Sequence, residues 1–120
     1  ARVDENWDEV IWRLRVKLIS GNTHLNFHAK NELRYMISFS KDGLHVSWND
    51  IHKGTNIYNA LNEWHVVEIS LLEKILRISV DGNLEIETPD PNPVPAGGIW
   101  LEVLPDSEVL FDDIVICKPE

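Results

Sequence analysis

Two acids stand side by side, Asp112 and Asp113, inside "EVLFDDIVIC", a run otherwise rich in strand formers. Side chains of a strand alternate between its faces, so Val109, Phe111, Asp113, Val115 and Cys117 share one face. Leu110, Asp112, Ile114 and Ile116 share the other. Both faces are apolar. The pattern therefore predicts that at least one carboxylate enters a covered environment, where an unpaired charge costs several kcal/mol and must be answered by a partner.

Other residues carry chemistry of different kinds. Glu85 and Glu87 in "LEIETPD" share a strand face, and glycoside hydrolysis requires two carboxyl groups ~5–5.5 Å apart for retention, or wider for inversion. "EIE" superficially resembles the Glu-x-Asp-x-Glu type strand of retaining jelly-roll glucanases, but the third acid is absent, and charges on an edge strand that repel unwanted pairing explain the same residues. His24, Asn26 and His28 share a strand face as a polar set, with a metal pair as the sharper alternative to solvated histidines. Trp100 shares parity with Glu102 on the face where other strands carry polar residues, so it is either a stacking platform or a lid over a sheet edge. Arg13, Arg15, Arg34 and Arg77 also point outward, as solvated surface or as a polar groove for hydroxyl-rich or carboxylate-bearing ligands. Parity does not say whether they share a sheet. Recognisable nucleophile elbows, zinc helices and phosphate-cradling glycine loops are absent from the sequence.

The elements that position these residues are short and strand-like: "WRLRVKLI", "HLNFHAK", "LRYMISFS", "LHVSW", "WHVVEISLL", "ILRISV", "LEIE" and "IWLEVL" precede the acidic run. Between them lie "SGNT", "KDG", "NDIHKGTN", "DGN" and "PDSE", whose residues favour turns. "SVDGNLEI" is the clearest hairpin, reversing at Asp81-Gly82 or Gly82-Asn83. Only "NALNEW" offers a helical turn. Alternation sends Trp12, Leu14, Val16, Leu18, Leu25, Phe27, Tyr35, Ile37, Phe39, Leu44, Val46, Trp48, Leu76, Ile78, Val80, Ile99, Leu101 and Val103 inward. Pro89, Pro91, Pro93 and Pro95 forbid a central strand and predict an extended crossover between sheets. The fold class is all-β, a two-sheet antiparallel β-sandwich or jelly roll.

A chain of 120 residues that is 43% hydrophobic fits one domain, residues 1–120, either alone or as part of a larger protein. Its longest apolar run falls short of the ~20 residues of a membrane-spanning helix. The formal charge of −9 opposes nucleic acid as a partner. Cys117, the single cysteine, excludes an internal disulfide and reads as a buried hydrophobe at a strand end.

The order of "WHVVEISLLEKILRISVDGNLEIETPD" and "GGIWLEVLPDSEVLFDDIVI" resembles the concanavalin A-like lectin/glucanase sandwich domains, and "THLNFHAKNELRYMISFS" resembles their preceding strand pair, with His28 where an arginine is common. The resemblance implies an extracellular or cell-surface, non-catalytic domain that binds a polysaccharide or other glycan. Its alternatives are a structural module pairing through exposed sheet edges and a degenerate or accessory glycosidase domain, whose catalytic acids are missing. A sugar on the polar sheet would meet Trp100, Glu102, Arg77, Arg34, Asn26 and His28, with Trp100 stacking. In related jelly rolls one acid of the closing Asp-Asp strand is held by backbone N–H groups or by calcium. Here backbone or arginine pairing is preferred; the alternative is a structural calcium ion using Asp112, Asp113 and Glu108, with no other cofactor expected. Only "ARVDENWDEV" precedes the first matching strand. A sheet edge is therefore expected to be open to self-association or a neighbouring domain, unless these residues fold back as an edge strand anchored by Trp7.

Overall fold

The computed structural model describes the backbone of residues 2–7, 9–30, 33–90 and 97–117, and the side chains of residues 9–27, 34–90 and 98–117. Among these residues every regular element is a strand: β1 (Arg2–Trp7), β2 (Val10–Ser20), β3 (Asn22–Lys30), β4 (Leu33–Ser40), β5 (Gly43–Trp48), β6 (Ile51–Thr55), β7 (Trp64–Leu72), β8 (Ile75–Val80), β9 (Asn83–Pro89), β10 (Gly97–Val103) and β11 (Glu108–Cys117). They form a six-stranded sheet, β1-β10-β3-β4-β5-β6, and a five-stranded sheet, β11-β2-β7-β8-β9. All neighbouring strands pair antiparallel. The expected sandwich is thus present. β9 and β10, on either side of the proline-rich stretch, belong to different sheets, while residues 91–96 themselves lie outside the described residues.

Alternation fills the space between the sheets. Trp12, Leu14, Val16 and Leu18 from β2 are fully buried, as are Leu25, Phe27, Tyr35, Ile37, Phe39, Leu44 and Val46 from the opposite sheet. Trp12 meets Phe27 across the sandwich at a ring separation of 6.1 Å, Phe27 stacks on Tyr35 at 4.5 Å, and Tyr35 tilts against Trp48 at 5.5 Å. Offset aromatic pairs of this kind add to the burial of their area. Val103 departs from its expected inward place, being 47% exposed at the end of β10.

Among the described residues, three two-residue hairpins have both residues at positive φ: Asn49-Asp50, Glu73-Lys74 and Asp81-Gly82. This is the type I′ geometry, whose twist matches that of the paired strands and which favours Asn-Gly or Asp-Gly. Asp81-Gly82 supplies that chemistry, but Glu73 and Lys74 enter the left-handed region with full side chains. Replacing Glu73-Lys74 by Asn-Gly is therefore expected to stabilise the domain by about 1 kcal/mol, measured by urea denaturation at constant slope.

β11 corrects the parity expectation. Its pairing with β2 shifts between Asp112 and Val115, and Asp113 has φ of 49°. This is a β-bulge, which inserts a residue and resets alternation. Val109 and Phe111 pack toward the core before it; Ile116, rather than Val115, does so after it. Both aspartates are consequently exposed. Asp112 Oδ1 accepts from the Asp113 amide at 2.8 Å, and Asp113 Oδ2 accepts from Arg15 Nη1 at 3.1 Å. These backbone and arginine contacts replace the buried network expected from the sequence. Surface pairs of this type contribute little, so Asp112→Asn and Asp113→Asn are each expected to change stability by no more than ~1 kcal/mol in thermal melts. Cys117, expected inside, is also exposed because the reset strand carries it outward.

The N-terminal residues take the fold-back alternative. β1 pairs with β10 through Arg2 opposite Trp100, Val3 opposite Ile99 and Trp7 opposite Gly97. The edge of β10 that would otherwise be open is therefore occupied by the chain itself. The side chain of Trp7 lies outside the described residues.

Candidate functional site

The outward face of the six-stranded sheet is a polar grid produced by strand register. Trp100, Asn26, Met36, Ser47 and His52 lie in one row across β10, β3, β4, β5 and β6. Glu102, His24, Ser38, His45 and Gly54 form the next. Directly opposed residues in antiparallel strands share a face, so residues distant in sequence meet here.

Glu102 is held from β3. Asn26 Nδ2 donates to Glu102 Oε1 at 3.2 Å and to the Trp100 carbonyl at 3.0 Å, while His24 Nδ1 lies 3.4 Å from the same Oε1. Thr23 Oγ1 donates to the Glu102 carbonyl at 2.6 Å. Glu102 retains 26% side-chain exposure and His24 18%, so the carboxylate is oriented without being sealed from solvent. Arg34 reaches over Trp100, its guanidinium carbon 5.4 Å from the ring centroid, with Nη2 3.9 Å from the Met36 sulfur. A guanidinium over an indole face is attracted by the ring quadrupole and is held in place with its donor edge available.

Toward β6 the grid opens into a cleft of ≈ 420 Å³ lined by Arg34, Met36, Ser47, Trp48, Asn49, Asp50, Ile51 and His52. The rings of His45 and His52 stack at 5.6 Å. His45 lies against Gly54 so closely that a Cβ there would fall 2.0 Å from its Nδ1, which explains glycine at this strand position. The arrangement presents carboxylate, guanidinium, imidazole and hydroxyl groups beside an aromatic ring. Such a surface is suited to hydrogen bonding and stacking.

The predicted contacts divide. Trp100, Glu102, Arg34 and Asn26 converge, and His28 is on β3 with its side chain outside the described residues. Arg77 does not join them: it is on β8 of the other sheet, with Nε 2.7 Å from Glu87 Oε2. Alternation gives a residue's face within a strand but not the sheet to which the strand belongs. Asn26 is fully buried, so it orients Glu102 and does not present itself to a ligand. Its Oδ1 has no hydrogen-bond partner among the described residues.

The candidate acid centres are arranged differently. Glu85 lies at the pairing irregularity opposite Ile78 and Ser79, and Glu87 is engaged by Arg77. Glu108 is paired opposite Ser20, four residues before Asp112 along β11. No cluster of three His, Cys, Asp or Glu residues that could hold a metal ion occurs among the described residues.

Sequence reasoning missed the joining of His24 to Glu102 and the contribution of His45 and His52. Their outward parity was visible for His24 and His45, but cross-strand pairing was not.

The architecture has many structural counterparts. A carbohydrate binding module, CBM66 from Bacillus subtilis, aligns with TM-score 0.77 and 14% identity over 93% of this chain and 76% of the module. A human galectin-16 variant aligns with TM-score 0.74 and 9% identity over 99% of this chain and 95% of the galectin. A Bacillus licheniformis β-glucanase aligns with TM-score 0.63 and 12% identity over 84% and 56% of the two chains. The fold is a concanavalin A-like jelly roll. No protein-family model and no curated protein sequence matches the chain. The likeness is one of scaffold, and a scaffold alone does not specify the chemistry carried by its side chains.

Proposed function

We propose that this jelly roll is a non-catalytic carbohydrate-binding or cell-surface recognition module, acting on glycans in an extracellular or cell-surface setting. The observation that carries the reading is the convergence of Trp100, Arg34 and Glu102, with Asn26 and His24 orienting the carboxylate. An indole stacks on the apolar face of a sugar ring, while a fixed carboxylate and guanidinium bind hydroxyl groups. His45, His52, Ser38 and Ser47 extend the polar surface along the same rows. The structural likeness to proteins called a carbohydrate binding module and galectins supports the same reading.

A broad array of neutral and acidic glycans tests it, followed by titration of retained sugars. Trp100→Ala is expected to weaken binding by about tenfold, the equivalent of ~1.4 kcal/mol, while the variant remains folded. Glu102→Gln is expected to weaken it as well. Absence of any retained glycan would overturn the function, and undiminished affinity in folded Trp100→Ala would remove this face as its site.

A further inference from the structure

The polar groups of the six-stranded face are satisfied at one end and unclaimed at the other. Toward β10, Asn26 and His24 engage Glu102, and Ser38 Oγ donates to Asn22 Oδ1 at 3.2 Å. On β5 and β6, His45, Ser47 and His52 have no hydrogen-bond or ion-pair partner among the described residues. All three are half-buried or exposed on the outward face.

Two glycines seat His45 at this end. A Cβ on Gly54 would fall 2.0 Å from its Nδ1, and one on Gly43 would fall 2.8 Å from its Nε2, so the imidazole lies down in the space that two absent side chains leave. The His52 ring stacks with it at a centroid separation of 5.6 Å and an interplanar angle of 23°. A nearly parallel imidazole pair offers aromatic surface to pack on a sugar ring and nitrogens to bind its hydroxyls.

Register fixes the position of this pair relative to Trp100. The row Trp100, Asn26, Met36, Ser47, His52 runs from β10 to β6 and is about 19 Å long at the usual strand spacing. The neighbouring row, from Glu102 through His24 and Ser38 to His45, is displaced by only about 7 Å along the strands. The site is therefore long across the strands and narrow along them. Its middle is low and continuous: Asn26 is buried, Met36, Ser38 and Ser47 are half-buried, and the cleft that reaches His52 begins at Arg34, the residue that extends over Trp100.

We infer that the stacked His45–His52 pair is a second ligand-contacting platform, and that the ligand is a linear oligosaccharide lying across the strands from Trp100 to this pair, not a single terminal sugar. The inference rests on the glycan reading above and adds to it the length and course of the chain. Contacts at both ends of one ligand reinforce each other, because the second forms without a further loss of translational and rotational freedom.

The test is calorimetric titration of the full chain with cello-, laminari- and galacturonate oligosaccharides, each as a ladder from disaccharide to hexasaccharide. In a ladder that binds, affinity is expected to climb about tenfold or more from the shortest member to the longest. His45→Ala and His52→Ala should each remove most of that gain. The atoms nearest a Cβ at Gly54 all belong to the His45 ring, so Gly54→Ala should displace the ring and cost the hexasaccharide as much as His45→Ala does, with no further loss in the double variant. Arg77→Ala, on the other sheet, should leave the length dependence unchanged. Thermal melts establish that each variant is folded. Equal affinity along the ladder, or a length dependence untouched by both histidine variants, would overturn the inference and leave the glycan reading standing. A glycan retained on the array with no ladder bound would do the same, since the ligand would then not be a linear chain of these kinds. Failure of both array and ladders would overturn the glycan reading, and this inference with it.

Discussion

Raising the pH through the folded-state pKa of His65 is expected to destabilise this jelly roll, and His65→Gln is expected to remove that component of its pH dependence. His65 is 5% exposed and faces inward from β7, with Phe39 of the other sheet edge-on at 5.8 Å. Its Nδ1 lies 2.8 Å from Asp81 Oδ2, and Nε2 lies 2.8 Å from the Ala60 carbonyl. Both partners are acceptors, so the imidazolium, with two N–H donors, satisfies both contacts while a neutral ring satisfies one. Burial pulls the pKa downward, but the Asp81 hydrogen bond, the Ala60 carbonyl and the charges of Asp81 and Glu63 outweigh it and raise the pKa above 6.5.

The unfolded value is lower than the folded value. The associated stability is therefore fully present below pH 6.5 and is lost as pH rises through the raised folded pKa. His65→Gln should lower stability by about 2–4 kcal/mol on the acidic side of that window, with a smaller difference on the alkaline side. Urea denaturation of both proteins between about pH 6 and pH 9 measures the two slopes. Parallel stability profiles would contradict the assignment. The ring secures more than one strand: Asp81 Oδ1 also accepts from the Val66 amide at 2.9 Å, and Ala60 belongs to the loop before β7. Loss of the imidazolium should loosen that loop and the β8–β9 turn together.

His65 also marks the boundary between what is legible in the sequence and what is not. The strand "WHVVEISLL" stands out in the resemblance, and its alternation places His65 with Val67 and Ile69, but nothing local specifies Asp81 and Ala60 as partners. The same boundary divides the six-stranded face. Trp100 and Glu102 are visible as outward residues of one strand, whereas the interactions with Arg34, His24 and Asn26 depend on the order β10-β3-β4. Arg77 has similar local polarity and falls on the other sheet. Regular alternation foretells most of the core because each strand repeats its face every second residue. It fails at Asp112-Asp113 because one inserted residue reverses the subsequent alternation, and sequence polarity alone does not locate the insertion.

A second large effect is expected where the two sheets are tied through a buried polar contact. The Tyr35 hydroxyl, on the six-stranded sheet, donates to Asp90, which immediately follows β9 of the other sheet. Both residues are buried, at 0% and 1% exposure, and the Asp90 amide donates to the Lys74 carbonyl at 2.8 Å. Tyr35→Phe retains an aromatic ring to pack against Phe27 and Trp48 while removing the hydroxyl. It is expected to lower stability by about 2 kcal/mol, the scale for loss of a hydrogen bond to a buried carboxyl group. Asp90→Ala should destabilise by at least as much, since it removes all side-chain contacts of the acid. The double variant should lose less than the sum, with a coupling of about 1 kcal/mol or more in denaturation measurements. Additive losses would show that the hydroxyl and carboxyl act independently. The prolines on either side of Asp90 place it in the extended crossover expected between the sheets, and alternation marks Tyr35 as core. Only closure of the sandwich brings them together, making their coupling a direct measurement of the contact that ties one sheet to the end of the other.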